Sequence, residues 1–551
     1  MKARVQNPLV AVVLLALSTL NTQLATTSLR AATLTVTSLA DSGAGSLRDQ
    51  VAASSTGDTI RFAVSGTILL SSAISISHSL NVQGPGPSAL VVDANHLDRA
   101  FVISASSTNA ISGMTITNGL NVGAPGADGG VGQNGTAGGD ASGGAIYNQG
   151  NYLLLSNCWL VGSTVEGGRG GRGGTNVIGE FYFNPGNGGA GGTAAGGAVY
   201  SQSSLEVIRC TFSSNRAVGG AGGQGGTNIA SSLDPGGAGS QGGNAFGGAV
   251  AASPAHFTSA TFSGNRAGGG QGGAGGDNTD SGPGGPGGSG GDGTGGAIAA
   301  GANPSSFSSC TIVSNSAFAG AGGLGGNGLP AGANGTSGSG SAGGVDGYLI
   351  SCNNPIRSTI LADNFASTID SNYYIAFGDY GYNFIGSDDF GACPWGTSTT
   401  AGTVLLPIHP QLGPLAQIGG GLPTHAPVFG GSPTIISPVI DQGLSTGLMT
   451  DERGAPRNYD FPSMPNAPGG DGSDIGAFEL GSAGLGIGVA GNNAVLSWPA
   501  YYGDFTLQSA TNLQDPNHWS DLPDTPVVVG SQRMVTNRMT NAQTFYRLII
   551  H

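Results

Sequence analysis

Glycoside hydrolysis needs two carboxylates a few ångströms apart on one surface, and the chain offers few candidates. Asp388 and Asp389 stand side by side in GSDDFG, and Asp277 and Asp280 share DNTDSG. Consecutive residues of a strand point to opposite faces, so Asp388 and Asp389 make only a weak catalytic pair. A lyase would need a cluster of basic residues, but no lysine follows Lys2, and Arg209, Arg216 and Arg266 are dispersed. Asp277, Asp280 and Asp292, the last in GGDGTGG, are weak metal candidates. The regular aspartate spacing of calcium loops is missing, and solvated turn aspartates are the plainer account. His78, His96, His256, His409, His425 and His518 lack metal-ligand spacing. GxSxG-like strings are unavoidable in so glycine-rich a chain. These residues predict no intrinsic catalysis, no metal and no cofactor.

Surface chemistry is the remaining possibility. Trp159, Thr211, Thr261, Thr311 and Thr359 hold one outward position in successive copies of a repeat, and Tyr147 and Tyr200 hold another. Flat threonine files order water, as ice-binding surfaces do, and aromatic columns stack on sugars. The bland alternative is that Thr and Tyr simply suit strands.

The element that must carry these files is the repeat itself. It reads GGAIY at Gly143, GGAVY at Gly196, GGAVA at Gly247, GGAIA at Gly295 and a faded GGVDG at Gly343, so the copies start 53, 51, 48 and 48 residues apart. Each is followed by a second phrase: CWLVGS, CTFSSN, ATFSGN, CTIVSN and, from Ser358, STILAD. A fixed period of this size marks stacked short strands that bury a continuous core only together. Alternation puts Ile146, Val199, Val250 and Ile298 on one face and Ala145, Ala198, Ala249 and Ala297 on the other. Leu160, Phe212, Phe262, Ile312 and Ile360 share the buried face with a small-residue column of Cys158, Cys210, Ala260, Cys310 and Ser358. Those cysteines read as buried thiols. Asn215, Asn265 and Asn315 form an asparagine ladder at a tight corner. Glycine-rich insertions at 123–142, 166–195, 217–246, 267–294 and 319–342 map to one side. Composition favours flexible filler; the sharper alternative is that adjacent loops extend side by side and pair their backbones.

Net charge is −14, with 105 glycines in 551 residues. The lack of clustered Lys and Arg argues against a nucleic-acid partner. Lys2 and Arg4, the apolar run to Leu17 and a polar stretch up to Ala32 have the layout of a secretory signal peptide over 1–31. After its removal no segment is apolar enough to span a membrane. Cys352 and Cys393 are left as a possible disulfide pair.

In chain order, TLTVTS at Thr33 is followed by DSGAGSLRDQVAAS, where Ser46 caps a short helix with Leu47 and Val51 inward, a plug for the open end of a strand array. Short close-set strands follow up to ISGMTITNG. The segment SLADSGAGSLRDQVAASSTGDTIRF, ISGMTITNG and GGAIYNQG resemble bacterial secreted parallel β-helix proteins with polymorphic-outer-membrane-type repeats. PQLGPLAQIGG, SPVIDQG, DERGAPR and DIGAFE resemble the end of choice-of-anchor Q proteins. Such families imply architecture and surface attachment, not a common reaction. A composition shift at 481–486 marks a linker, and short strands from 488 to 551 resemble a small fibronectin-like β-sandwich module.

The expected fold is therefore all-β: a right-handed parallel β-helix over 32–480, with its repeats at 143–364, then a C-terminal sandwich. The expected function is that of an exported, surface-associated structural or adhesive protein, whose partners would be extracellular polysaccharide or cell-surface components. The rivals are a carbohydrate-active enzyme or glycan binder, and an ice-binding solenoid.

Overall fold

A computed structural model of the protein describes residues 31–551, apart from short stretches at 177–183, 230–232, 348–351, 369–370, 389–390, 392, 420, 431–434, 462–463, 482–483, 500–504, 514–518, 530–531, 541–542 and 551. The expected signal segment lies outside the described residues. The chain is a parallel β-helix followed by antiparallel sheets that form a small β-sandwich. At the entrance, Ser46 caps the helix Leu47–Ala53 through the Asp49 N–H, and Leu47 and Val51 join the solenoid core.

One coil shows the plan. Val199–Ser201, Ser204–Ile208, Thr211–Ser213 and Arg216–Val218 are four short strands, each paired in parallel with its counterpart one coil on. Their inward residues stack by type. Phe212 lies on Phe262 with centroids 4.7 Å apart and rings nearly parallel, a contact worth about 0.5–1.5 kcal/mol beyond burial. Cys158, Cys210 and Cys310 are buried free thiols. Ala145 and Ile146 are both wholly buried in this core, as are their equivalents in the next copies. The two therefore do not take opposite faces as alternation predicts. The regular strand starts only at the Ile position, and Gly143, Gly196, Gly247 and Gly295, all with φ between +62° and +69°, turn the chain just before it.

The asparagine ladder is present. Asn265 Nδ2 donates to Phe212 O and Asn315 Oδ1, while its Oδ1 accepts the N–H of Asn215. The left-handed backbone of that corner is carried by the preceding residue, Ser214, Gly264, Ser314 or Asp363. Between the second and third strands Arg209, Ser259, Ser309 and Ser358 turn another corner with positive φ. Ser358 is thus a corner residue, Thr359 Oγ1 accepts the Cys310 N–H, and Ile360 pairs with Thr311 while Leu361 pairs with Ile312. The expected alignment is one residue out here, because STILAD is followed by Asn364 six residues on, not five. The last GG phrase is shifted likewise: Val345 pairs with Ile298, and Ala342 takes the left-handed corner.

The glycine-rich insertions are ordered in their described residues. Each runs out and back, and all but the last donate every third N–H to the next coil's insertion: Gly170 to Ala221 O, Gly222 to Gln271 O and Gly272 to Ala321 O, all 2.8 Å. The returning limbs do the same, Gly188 to Ala238 O and Gly239 to Pro286 O. A zigzag joins the two layers, with Gly223 donating to Gly189 O and Gly189 to Gly171 O. A period of three with all hydrogen bonds going to neighbours is that of polyproline II helices. Packing them side by side demands glycine, since a Cβ at Gly223 would stand 1.9 Å from Gly171 O. The insertions thus form a two-layered slab, and the flexible-filler expectation is overturned.

After the last coils, residues from about 410 to 480 fold back along the solenoid. Cys352 and Cys393 are joined by a disulfide. The sandwich pairs Gly486–Ala490, Asn493–Pro499, Gln532–Arg538 and Val527–Val529 in one sheet and Ser520–Asp521, Phe505–Ala510 and Phe545–Ile550 in the other. Trp498, Leu496 and Val535 share a core with Phe461, Phe478 and Leu480 of the returning segment. Among the described residues no helix is long and apolar enough to cross a membrane.

Candidate functional site

The threonine file is not a surface. Thr211, Thr261 and Thr311 point out of the coil but are fully buried beneath the returning segment. Thr211 Oγ1 meets Pro423 O at 2.7 Å and Glu452 Oε1 at 2.9 Å, Thr261 bonds to Glu452 and Thr424, and Thr311 Oγ1 accepts the Ala477 N–H. A flat ice-facing file is therefore not formed by these residues. Glu452, wholly buried, is pushed up to about 8 by desolvation, so near neutrality it is mostly protonated among hydroxyls. Trp159, next in the same column, is half-buried and donates Nε1–H to Ser213 Oγ.

The weak acidic candidates do not assemble. Asp388 accepts from the Tyr373 hydroxyl and from the Gly391 N–H, and Asp389 lies outside the described residues. Asp277 and Asp292 each cap a neighbouring insertion, accepting the N–H of Asn327 and Ser339. The Asp280 N–H donates to Asn278 Oδ1 within its own turn. Among the described residues no group of three or more His, Cys, Asp or Glu is placed to hold a metal.

The tyrosines do come together. Tyr147 and Tyr200 occupy adjacent rungs of one outward column, rings stacked at 5.7 Å and 12° from parallel. The column continues as Ala251, Ala299, Asp346 and Tyr374. Two alanines after two tyrosines leave a gap, and the gap is the floor of a trough of about 550 Å³. One side is formed by Ala195, Phe246 and Ser142 at the root of the slab, the other by Gln202 and Ser253 at the next turn. Rungs repeat about every 4.8 Å, so Tyr200 and Asp346 stand roughly 14 Å apart along the axis. Asp346 is half-buried, and burial pushes its carboxyl up to about 7. Asp140 is the other carboxylate of the trough, at its opposite end.

Sequence reasoning singled out Tyr147 and Tyr200 but missed Asp346. In the sequence Asp346 stands one place before the Tyr position of the earlier GG phrases, and only the one-residue shift of the last copy brings it onto that column. It also missed His409, whose Nδ1 lies 2.6 Å from Asp363 Oδ1 beside a smaller cavity of about 220 Å³ and ties the returning segment to the last corner.

No protein-family model matches the chain, and a search of curated proteins finds no match either.

Proposed function

We propose that the protein is an exported, surface-associated adhesive β-helix that binds extracellular polysaccharide in the trough beside Tyr147 and Tyr200, without cleaving it. One observation carries this reading: a stacked aromatic pair ends abruptly at a floor of alanines, so that the Tyr200 face turned away from Tyr147 borders an open groove. Such a face suits the apolar face of a pyranose ring, and hydroxyl and amide groups along the rim suit its hydroxyls. Against catalysis, the two carboxylates of the trough lie four rungs apart, about 19 Å along the axis, well beyond the separation that either glycosidase mechanism uses.

Export is supported by the signal-like start of the sequence and by the Cys352–Cys393 disulfide, a bond that persists in oxidising compartments. The resemblance to polymorphic-outer-membrane-type and choice-of-anchor Q proteins supports a place at the cell surface, and we propose that kinship too. A glycan array combined with turnover assays tests the whole. Retention of one glycan class with no release of reducing or unsaturated ends is the expected result. Release of such ends would establish an enzyme instead.

A further inference from the structure

We propose that the trough selects a cationic amino-sugar polymer: one pyranose ring stacks on Tyr200 over Ala251, and an ammonium group further along the same chain pairs with Asp346. This rests on the reading of the trough as a glycan site and adds the charge of its ligand.

The stack argues for the first contact. Tyr147 and Tyr200 are spaced and tilted as successive members of a column, and the next position is Ala251, with 7% of its surface accessible. A sugar ring laid there continues the column where a third aromatic ring would stand. The second contact follows from the charges. Asp140 and Asp346 are the charged residues lining the trough, and both are acidic. Arg99 is engaged at Tyr147, its guanidinium 5.1 Å from the ring centre and its Nε donating to the Ser142 and Gly143 carbonyls. A uronic-acid chain would bring carboxylates to carboxylates, whereas an ammonium would meet a compensating charge in a half-buried place, where a charged pair is screened less than on open surface.

Asp346 is flanked by Ala299 and Tyr374 on adjacent rungs, and the neighbouring Gly347 N–H donates to Tyr374 O. None of these carries a compensating positive charge, so an incoming cation stabilises the ionised carboxylate, which burial disfavours. Asp346 ionises as pH rises through about 7 while the amino groups of the polymer lose their protons over the same range, so binding of the cationic polymer passes through a maximum near neutrality.

The test is calorimetric titration of the full chain with three oligosaccharides of equal length: glucosamine, N-acetylglucosamine and galacturonate. The glucosamine oligomer is expected to bind about tenfold more tightly than the acetylated one, with galacturonate weakest. Asp346→Asn should abolish that preference while keeping the affinity for the acetylated oligomer, and Ala251→Tyr should block all binding by completing the aromatic column. Equal or tighter binding of the acetylated or galacturonate oligomer, or a preference that survives D346N, overturns the charge assignment alone. Binding undiminished in a folded A251Y variant overturns the placement of the site. No binding of any of the three oligomers overturns this inference, while retention of a different glycan on the array would leave the adhesive reading standing.

Discussion

Glu452 accepts the backbone N–H of Thr261 at 3.2 Å, reaching back 191 residues along the chain with its carboxyl wholly inside the protein. The contact fastens the returning segment to the solenoid, and its chemistry is that of a neutral acid rather than an ion pair.

That neutrality makes the segment sensitive to alkali. Glu452 is raised from 4.5 to about 8, so between those values the folded state holds a proton that the unfolded chain releases. The stabilisation is complete below the lower value and fades as pH climbs through the upper one. Asp441, Asp474 and Glu479, in the same segment, are raised as well, each chiefly by desolvation. Melting temperature should therefore fall steadily from about pH 5 to pH 9, and Glu452→Gln should flatten part of the slope. A melting temperature that climbs over this interval contradicts the assignment. Glu452→Ala should cost about 1–3 kcal/mol for each buried partner left unpaired.

A methyl group in the slab has nowhere to go. Gly223→Ala places a Cβ 1.9 Å from Gly171 O and 2.9 Å from the Gly189 nitrogen. Destabilisation of about 1–3 kcal/mol or more is expected, together with faster amide exchange across the insertions of neighbouring coils. Gln224→Ala, one residue on at an exposed position, is the control and should change little. Equal effects of the two substitutions would refute the layered packing.

Removing one amide from the ladder should be felt in both directions. Asn265→Ala strips an acceptor from the Asn215 N–H and donors from Phe212 O and Asn315 Oδ1. A loss of roughly 2–4 kcal/mol in denaturant-induced unfolding is expected, as several buried groups lose partners. A loss under about half a kcal/mol would place the ladder among interchangeable surface contacts.

The Cys352–Cys393 bond closes a loop 41 residues apart in sequence. Chain-entropy arguments put its contribution at about 4 kcal/mol. Reduction should lower the melting temperature, while Cys158, Cys210 and Cys310 should stay unreactive to thiol reagents until the chain unfolds. Modification of these three in the native protein would contradict their burial.

The solenoid was legible because its determinants are local and recur at a fixed period. Phe212 and Phe262, or Asn265 and Asn315, announce their equivalence by spacing alone. Where spacing drifts by one residue, as at Ser358 and Gly343, equivalence passes to the neighbour and only the backbone corners reveal it. The threonine file was misread because its cover, Pro423, Glu452 and Ala477, comes from more than 160 residues away and carries no matching periodicity. The slab was written in the sequence as glycines in steps of three, but that step belongs to a helix without internal hydrogen bonds, and composition alone does not separate it from a flexible tether.

The slab also constrains how this chain can change length. Each insertion must present glycine to the neighbours above and below at every third position, so losing or gaining one or two residues rotates the rest of that limb and drives side chains into adjacent backbones. Additions of three preserve the rotation, and a limb lengthened alone would project past neighbours that cannot pair with it. Within a limb, viable changes should therefore come in multiples of three, with the facing limbs of adjacent coils changing together; whole insertions are not bound to that step, since 217–246 and 267–294 differ by two residues.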